Sequence, residues 1–179
     1  QFTPSFFSPN RGFVITQLNG AGCSNMGNFP ILPISGKLNV SPNDMNGYEK
    51  YEKIRNSTAG HLSLSMKDNI DVDLTVSKRS GVAKFDFSES DLGTLVVGSG
   101  INSSESTKIK DAYIKITSPN SVEGYTQGGD FCGTEINYKI FFAAEFSHEA
   151  IECGTWKDRK IFQKKLMKGG NSGAYFTFN

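Results

Sequence analysis

A glycine-rich segment near the start of the sequence, residues 12–36, carries the side chains best suited to binding chemistry. It reads GFVITQLNGAGCSNMGNFPILPISG, and the amides of Gln17 and Asn19 stand close to Gly20 and Gly22. Amides both donate and accept hydrogen bonds, and glycine lets a ligand approach the backbone, so the pattern suits recognition of sugar hydroxyl groups. A glycine-rich loop or a bulge between two strands fits the same residues, and both interpretations stay open at this point.

Residue types that serve other chemistries are dispersed. His61 and His148 lie far apart, and no CxxC pair, P-loop or dinucleotide-binding glycine motif occurs. Asp68, Asp71 and Asp73 offer the oxygen ligands that calcium prefers. Asp71 and Asp73 also alternate with apolar residues, as the outer face of a strand does. We therefore favour a solvated strand face over a metal site, and we assign no catalytic or metal-binding residue in this chain.

Composition excludes several protein classes. The 179 residues are 37% hydrophobic, which suits one domain with a buried core. The charges nearly cancel, with 19 basic against 18 acidic residues, so the concentrated basic surface of a nucleic-acid-binding protein is not expected. No apolar run approaches the roughly 20 residues that a membrane-spanning helix requires. The three cysteines allow at most one internal disulfide and do not indicate a compartment.

Apolar residues recur mostly at every second position, which predicts strands. His61–Met66 and Ile70–Val76 flank the turn sequence Lys67–Asn69 and predict a β-hairpin. The longest alternating run is Ile136–Phe146, whereas Leu92–Val97 is more continuously apolar. Many short strands without a long amphipathic helix predict an all-β fold, an antiparallel two-sheet β-sandwich that spans residues 1–179 as a single domain.

Two local features refine this prediction. Pro30 and Pro33 place the segment Phe29–Pro33 on an edge strand or in an extended loop, because proline cannot donate to a ladder of hydrogen bonds. The segment Asp44–Asn56 is polar and tyrosine-rich, and we expect at most a short helical turn there.

The glycine-rich segment resembles the N-terminal domain of glycoside hydrolase family 92. Members of that family read close to GFSHTHLSGTGC, followed after a gap by GD, a hydrophobic residue, P and TTG. The matching residues here are Gly12, Phe13, Thr16, Leu18, Gly20, Gly22, Cys23, Asn28–Pro33 and Gly36. The family's two histidines are replaced by Ile15 and Gln17, and its serine by Asn19.

Five later stretches also resemble the family. They correspond to its AxPGYYxV, ELTATxRxGxHRY, VEGY, YFVAEFS and GAYxxF stretches. They occupy residues 59–64, 73–85, 122–125, 141–147 and 172–178. Because they occur in the family's order along the chain, together they are far more specific than any one motif.

The resemblance implies an exo-acting α-1,2-mannosidase that hydrolyses mannose-containing glycans with inversion. In this family an N-terminal β-sandwich packs on a C-terminal helical barrel. That barrel supplies most of the catalytic acid, base and calcium ligands, so the ligands for calcium are expected outside this chain. The substrate cleft lies between the two domains, and its residues here would be Gln17, Asn19, Gly20 and Gly22.

The sequence starts close to Gly12 and stops before a helical barrel begins. We therefore expect a domain of a larger bacterial enzyme, inactive alone, with the C-terminal catalytic domain of the same polypeptide as its partner. An extracellular or periplasmic location is expected for such an enzyme, and the cysteine pattern also allows the cytoplasm.

Two other hypotheses remain at this stage, a free-standing carbohydrate-binding or adhesion module and a purely structural sandwich. A domain separated from its partner predicts a large exposed apolar patch. A binding module predicts aromatic side chains exposed on a platform, for which Trp156, Tyr48 and Tyr51 are the candidates.

Overall fold

The computed structural model describes residues 12–14, 16–18, 25–42, 51–101, 108–129 and 136–179, without the side chains of residues 16–18, 25, 26, 51 and 52. Fifteen strands lie in these ranges, and a short 3-10 turn, Lys67–Asn69, joins β5 to β6. The strands are β1 (Thr16–Leu18), β2 (Asn25–Asn28), β3 (Ile31–Ser35), β4 (Tyr51–Thr58), β5 (His61–Met66), β6 (Ile70–Val76), β7 (Gly81–Asp86), β8 (Gly93–Gly98), β9 (Lys108–Ser118), β10 (Ser121–Gly129), β11 (Asn137–Glu145), β12 (Glu152–Lys157), β13 (Lys160–Phe162), β14 (Leu166–Lys168) and β15 (Ser172–Phe178).

The strands form three larger sheets and one ribbon. The central sheet has the order β13-β12-β15-β8-β3, the β4–β7 sheet runs in sequence order, and the β9–β11 sheet has the order β11-β10-β9-β14. The ribbon consists of β1 and β2. All pairs of neighbouring strands are antiparallel.

The central sheet is covered on both faces, and a separate hydrophobic core lies on each side. Residues of β3, β5, β6, β8, β12 and β15 share the first core, which includes Leu32, Leu64, Val72, Val96 and Trp156. Residues of β8, β9, β10 and β15 share the second core, which includes Val97, Ile114, Val122 and Phe176. Since consecutive residues of a strand point to opposite faces, Val96 and Val97 enter different cores.

The prediction of an all-β antiparallel sandwich is confirmed, and the sandwich has one layer more than the two expected. All residues of β8 are buried, as are six of the seven residues of β15. A strand that is buried on both faces reads as a continuous apolar run rather than an alternating one. The run Leu92–Val97 has this character, and it corresponds to strand β8 of the middle layer.

Local predictions can be compared with the strands directly. The hairpin is confirmed, with Met66 opposite Ile70, and Asp68 and Asn69 adopt positive φ in its turn. The edge position predicted from Pro30 and Pro33 is confirmed by β3. The helical turn expected within residues 44–56 is wrong for its second half, because residues 51–58 form the edge strand β4; residues 44–50 lie outside the described ranges.

The polar composition of β4 explains why the sequence did not predict a strand there. Residues 53–58 are exposed, so no apolar alternation marks them. Pairing with β5 along the backbone, from Tyr51 opposite Met66 to Thr58 opposite His61, holds the strand instead. Among the described residues, no helix has the length and apolar character needed to cross a membrane.

Candidate functional site

The glycine-rich segment includes the ribbon β1–β2. Gly12 and Phe13, which precede β1 and which we call the first foot of the ribbon, are fixed to the start of β3. Phe13 and Ile31 exchange two backbone hydrogen bonds, 2.8 Å from the Phe13 N–H and 2.9 Å from the Ile31 N–H. Gly12 has a φ of 113°, and a Cβ atom at this position would lie 2.8 Å from the Ile31 carbonyl oxygen. Only glycine fits this approach without strain, so the Gly12-Phe13 pair anchors the chain just before the ribbon.

Asn28 and Phe29, at the end of β2, form the second foot of the ribbon and are buried against the β9–β11 sheet. Asn28 is 1% exposed, and its side-chain amide donates a 3.3 Å hydrogen bond to the Tyr138 hydroxyl. Burial raises the pKa of Tyr138, so its hydroxyl stays protonated at neutral pH. The next residue, Phe29, has a φ of 54°, and its ring centroid lies 4.2 Å from that of Phe142. These contacts fix the end of β2 to the second core.

A bulge lies between these feet and the far end of the ribbon. Thr16 is opposite Asn28, whereas Gln17 is opposite Met26, so Gly27 is the extra residue on β2. Gly27 has a φ of 67°, which is the left-handed conformation that a glycine supplies in one common type of bulge. The bulge therefore arises at Gly27.

One of the four predicted substrate-binding residues lies on the ribbon, and the other three lie outside the described residues. Gln17 lies on β1, opposite Met26, and its side chain lies outside what the structure describes. Asn19, Gly20 and Gly22 lie outside the described residues, within the segment that connects Leu18 to Asn25. Their role in sugar recognition stays a prediction.

A polar network occupies one end of the central sheet. Glu152 accepts hydrogen bonds from Lys37 at 3.2 Å and from Gln163 at 3.1 Å, and Gln163 also donates to the Tyr175 hydroxyl at 3.0 Å. The Lys37 ammonium lowers the pKa of Glu152, which keeps this carboxyl ionised and unsuited to act as a general acid. Burial raises the pKa of Tyr175 and of the free thiol of Cys153. The network ties neighbouring strands together.

Of the three carboxylates considered for calcium, Asp71 and Asp73 lie on the outer face of the β4–β7 sheet, and Asp68 lies in the turn between β5 and β6. Arg55 forms ion pairs with Asp71 at 3.0 Å and with Asp73 at 3.6 Å, and His61 lies 3.7 Å from Asp73. A guanidinium group between two carboxylates takes the place that a cation would need. Across the ranges that the structure describes, no cluster of three or more His, Cys, Asp or Glu residues fits a metal ion.

Of the aromatic residues considered for a platform, Trp156 is placed differently from the prediction. Trp156 is 0% exposed in the first core, so its proposed role as a platform residue is wrong. It lies on a central strand covered by the β4–β7 sheet. Tyr48 lies outside the described residues, as does the Tyr51 side chain.

A different aromatic row, missed in the sequence, lies on the outer face of the β9–β11 sheet. Tyr113 is opposite Tyr125, and Tyr125 is opposite Phe141, on three adjacent strands. Each of these residues is one position out of phase with the residues of its strand that face the second core, such as the buried Ile114 and the half-buried Phe142. This alternation is the feature of the sequence from which an exposed row could have been predicted.

Comparison with known proteins identifies the family. The model of the glycosyl hydrolase family 92 N-terminal domain matches residues 7–179. The chain belongs to this family. Residues that anchor the ribbon, from Gly12 to Phe29, lie within the matched region of this family 92 domain. No curated protein matches the sequence.

Solved structures agree with this assignment at the level of the fold. A family GH92 alpha-mannosidase from Bacteroides thetaiotaomicron superposes with a TM-score of 0.79 at 21% identity, covering 94% of this chain and 24% of that one. The GH92 family glycosyl hydrolase ccman5 gives a TM-score of 0.80 at 21% identity, covering 94% and 24%. An inverting mannosidase of the same family from Bacteroides thetaiotaomicron VPI-5482 gives 0.61 at 21% identity, covering 84% and 19%.

The family 92 domain therefore corresponds to one part of these larger enzymes. The chain spans about a quarter or less of the length of each solved mannosidase that it matches. The all-β domain found here is the shared part.

Proposed function

We propose that this chain is the N-terminal domain of an exo-acting α-1,2-mannosidase that hydrolyses mannose-containing glycans with inversion. The observation that carries the proposal is the family 92 match over residues 7–179. The partner is a C-terminal catalytic domain of the same polypeptide, and the enzyme is bacterial and extracellular or periplasmic. One solved relative is an alpha-mannosidase in complex with mannoimidazole, which supports a mannose-containing substrate.

The anchored ribbon is the part of the domain that we assign to the interdomain cleft. Its feet are held by the Phe13–Ile31 backbone pair and by Asn28 and Phe29, so the chain is fixed to the sandwich on both sides of the ribbon. Gln17 and Asn19 supply amides for sugar hydroxyl groups, and Gly20 and Gly22 permit close approach of the backbone. A rigid support matters because a binding group that is already positioned loses less entropy when substrate arrives.

The hydrolytic groups belong to the C-terminal domain in this proposal. Inversion requires an acid and a base whose carboxyl groups lie roughly 6.5–9.5 Å apart around a water molecule. Glu152 is held ionised by Lys37, and Asp71 and Asp73 are paired with Arg55. These described carboxylates do not fit a calcium site either, so calcium in the intact enzyme would be bound by residues elsewhere.

Substitutions in the ribbon test this assignment in the full-length enzyme. We expect Gln17→Ala and Asn19→Ala each to lower kcat/KM for α-1,2-mannobiose several-fold. One hydrogen bond to a neutral hydroxyl contributes about 0.5–1.5 kcal/mol. Thermal stability should change little, because exposed amides contribute little to folding. Asn56→Ala, on the exposed strand β4, is the matched control and should leave both properties unchanged.

The stereochemistry of the reaction provides an independent check. Proton NMR should detect β-mannose as the first product of the full-length enzyme, before it equilibrates with the α-anomer. Initial release of α-mannose would contradict inversion. Wild-type kinetics in both ribbon variants would contradict the cleft assignment, and a large loss of stability without a kinetic defect would show that the amides serve the fold.

A further inference from the structure

We propose that the outer face of the β9–β11 sheet is a second glycan-binding surface, which holds neutral hexopyranose chains without hydrolysing them. Its centre is the aromatic row, formed by Tyr113, Tyr125 and Phe141. This surface is separate from the ribbon, and the proposal does not rest on the function proposed for the ribbon.

The aromatic row crosses three strands without interruption. The ring centroids of Tyr113 and Tyr125 lie 5.7 Å apart with planes 14° from parallel, and those of Tyr125 and Phe141 lie 5.8 Å apart. These spacings are comparable with the length of one hexopyranose unit. The Phe141 side chain is 71% exposed, a high value for a large apolar residue. A sugar covers such apolar surface with its C–H groups, which are attracted to the negative faces of aromatic rings.

Contacts within the sheet hold the central ring in place. The Tyr125 hydroxyl donates a 2.7 Å hydrogen bond to Asp111, and this bond raises the pKa of Tyr125. On the ring itself, the Lys139 ammonium lies 3.6 Å from the centroid, a cation–π contact. Because the row is already ordered, a ligand need not order it on binding.

Hydrogen-bonding side chains lie around the row on the same face. Gln127 is opposite both Asp111 and Lys139, and Glu123 is opposite Lys115. This arrangement places amide, carboxylate and ammonium groups beside the rings. Sugar hydroxyls both donate and accept hydrogen bonds, so they can use all three groups. The Lys139 ammonium covers a face of the Tyr125 ring, so a sugar would stack on the more exposed Phe141 ring and accept a hydrogen bond from Lys139 at its side, 5.6 Å from the Phe141 centroid.

The same charges argue against a protein partner on this face. Lys115 and Glu123 form a 4.0 Å pair whose side chains are 47% and 50% exposed, and Lys139 and Glu145 are also exposed. Burying such groups under a protein costs more free energy than their weak pairing returns, and the cores of protein interfaces are depleted in charge. A glycan leaves the charges hydrated while it covers the rings.

Affinity electrophoresis tests the surface directly. The 179-residue chain would be run in native gels that contain a soluble α-mannan or a soluble β-glucan, and its mobility compared with gels that contain no polysaccharide. We expect retardation by at least one polysaccharide. Phe141→Ala and Tyr113→Ala should weaken that binding roughly three- to tenfold, which corresponds to about 0.6–1.4 kcal/mol, because each removes a ring of the row. Tyr113→Phe, which keeps the ring, should bind like the wild type.

Val82→Ala is the matched control, because Val82 is 69% exposed on the β4–β7 sheet, away from the row. Thermal melts of each variant would establish that it folds. Mobility of the wild-type chain unaffected by both polysaccharides would overturn the proposal, as would retention of the Phe141→Ala variant at wild-type strength. A dimer that dissociates in the Phe141→Ala variant, or docking of a C-terminal domain that depends on Phe141, without retardation by either polysaccharide, would also overturn it.

Polysaccharide retention and α-1,2-mannobiose hydrolysis are measured separately. Gln17→Ala should leave retention unchanged, and Phe141→Ala should leave mannobiose hydrolysis by the longer enzyme unchanged. The failure of one proposal therefore does not decide the other.

Discussion

Backbone constraints at single residues explain why the glycine-rich segment has its sequence. Gly12 and Gly27 adopt positive φ, at the foot of the ribbon and at its bulge. Phe29 adopts positive φ as well, and its ring contact with Phe142 compensates for part of the strain. These residues are needed for the shape of the ribbon, whatever the ribbon binds.

Gly12 provides the test at this scale. We expect Gly12→Ala to lower the free energy of unfolding by about 1–3 kcal/mol, because the new Cβ would lie 2.8 Å from the Ile31 carbonyl oxygen and the φ is 113°. Urea denaturation monitored by fluorescence would measure the change. Gly170→Ala is the control, since the nearest atom to its Cβ is 4.0 Å away. Equal stability of the two variants would show that the Gly12 backbone relaxes freely.

The strands of the central sheet contribute most to the stability of the fold because both of their faces are buried. Strands β3, β8, β12 and β15 contribute to the first core, and β8 and β15 also contribute to the second. Each side chain on these strands contacts a different layer from its neighbour. A substitution in the central sheet should therefore cost more than the same substitution in a sheet with one open face.

A pair of leucines tests this difference between elements. Leu32 on β3 is 0% exposed, whereas Leu166 on β14 is 43% exposed. We expect Leu32→Ala to lower the free energy of unfolding by about 2–5 kcal/mol, and Leu166→Ala to lower it by clearly less, because a partly exposed side chain leaves a smaller cavity. The midpoints of urea unfolding would measure both. Similar losses in the two variants would contradict a central sheet that dominates stability.

The molecule as a whole is a three-layered all-β domain. Because it matches only one domain of larger glycosidases, a prediction follows about hydrolysis by this domain alone. We expect the purified 179-residue chain to release no mannose from α-1,2-mannobiose, with or without added calcium. In our proposal the acid, the base and the calcium ligands lie in the C-terminal domain. Chromatographic detection of free mannose after prolonged incubation would measure the activity, with the full-length enzyme as positive control. Mannose release that scales with chain concentration would contradict this division of roles.

The sequence alone determined the class of fold and much of the strand pattern. Period-two alternation marked the hairpin around Lys67–Asn69 and the long strand β11, because a half-exposed antiparallel strand needs one apolar face. Prolines at positions 30 and 33 marked the edge strand β3, since proline cannot donate to a ladder. The ordered matches from Gly12 onward also indicated the family.

Tertiary structure decided the number of layers and the location of surfaces. The sequence shows that Val96 and Val97 are apolar, but only the packing of sheets on both faces shows that they enter different cores. Trp156 and Phe141 are both large aromatics, yet one is 0% and the other 71% exposed. The aromatic row joins residues that are distant in sequence, and strand pairing alone places them side by side. Local spacing specifies a strand, whereas burial depends on what other parts of the chain cover it.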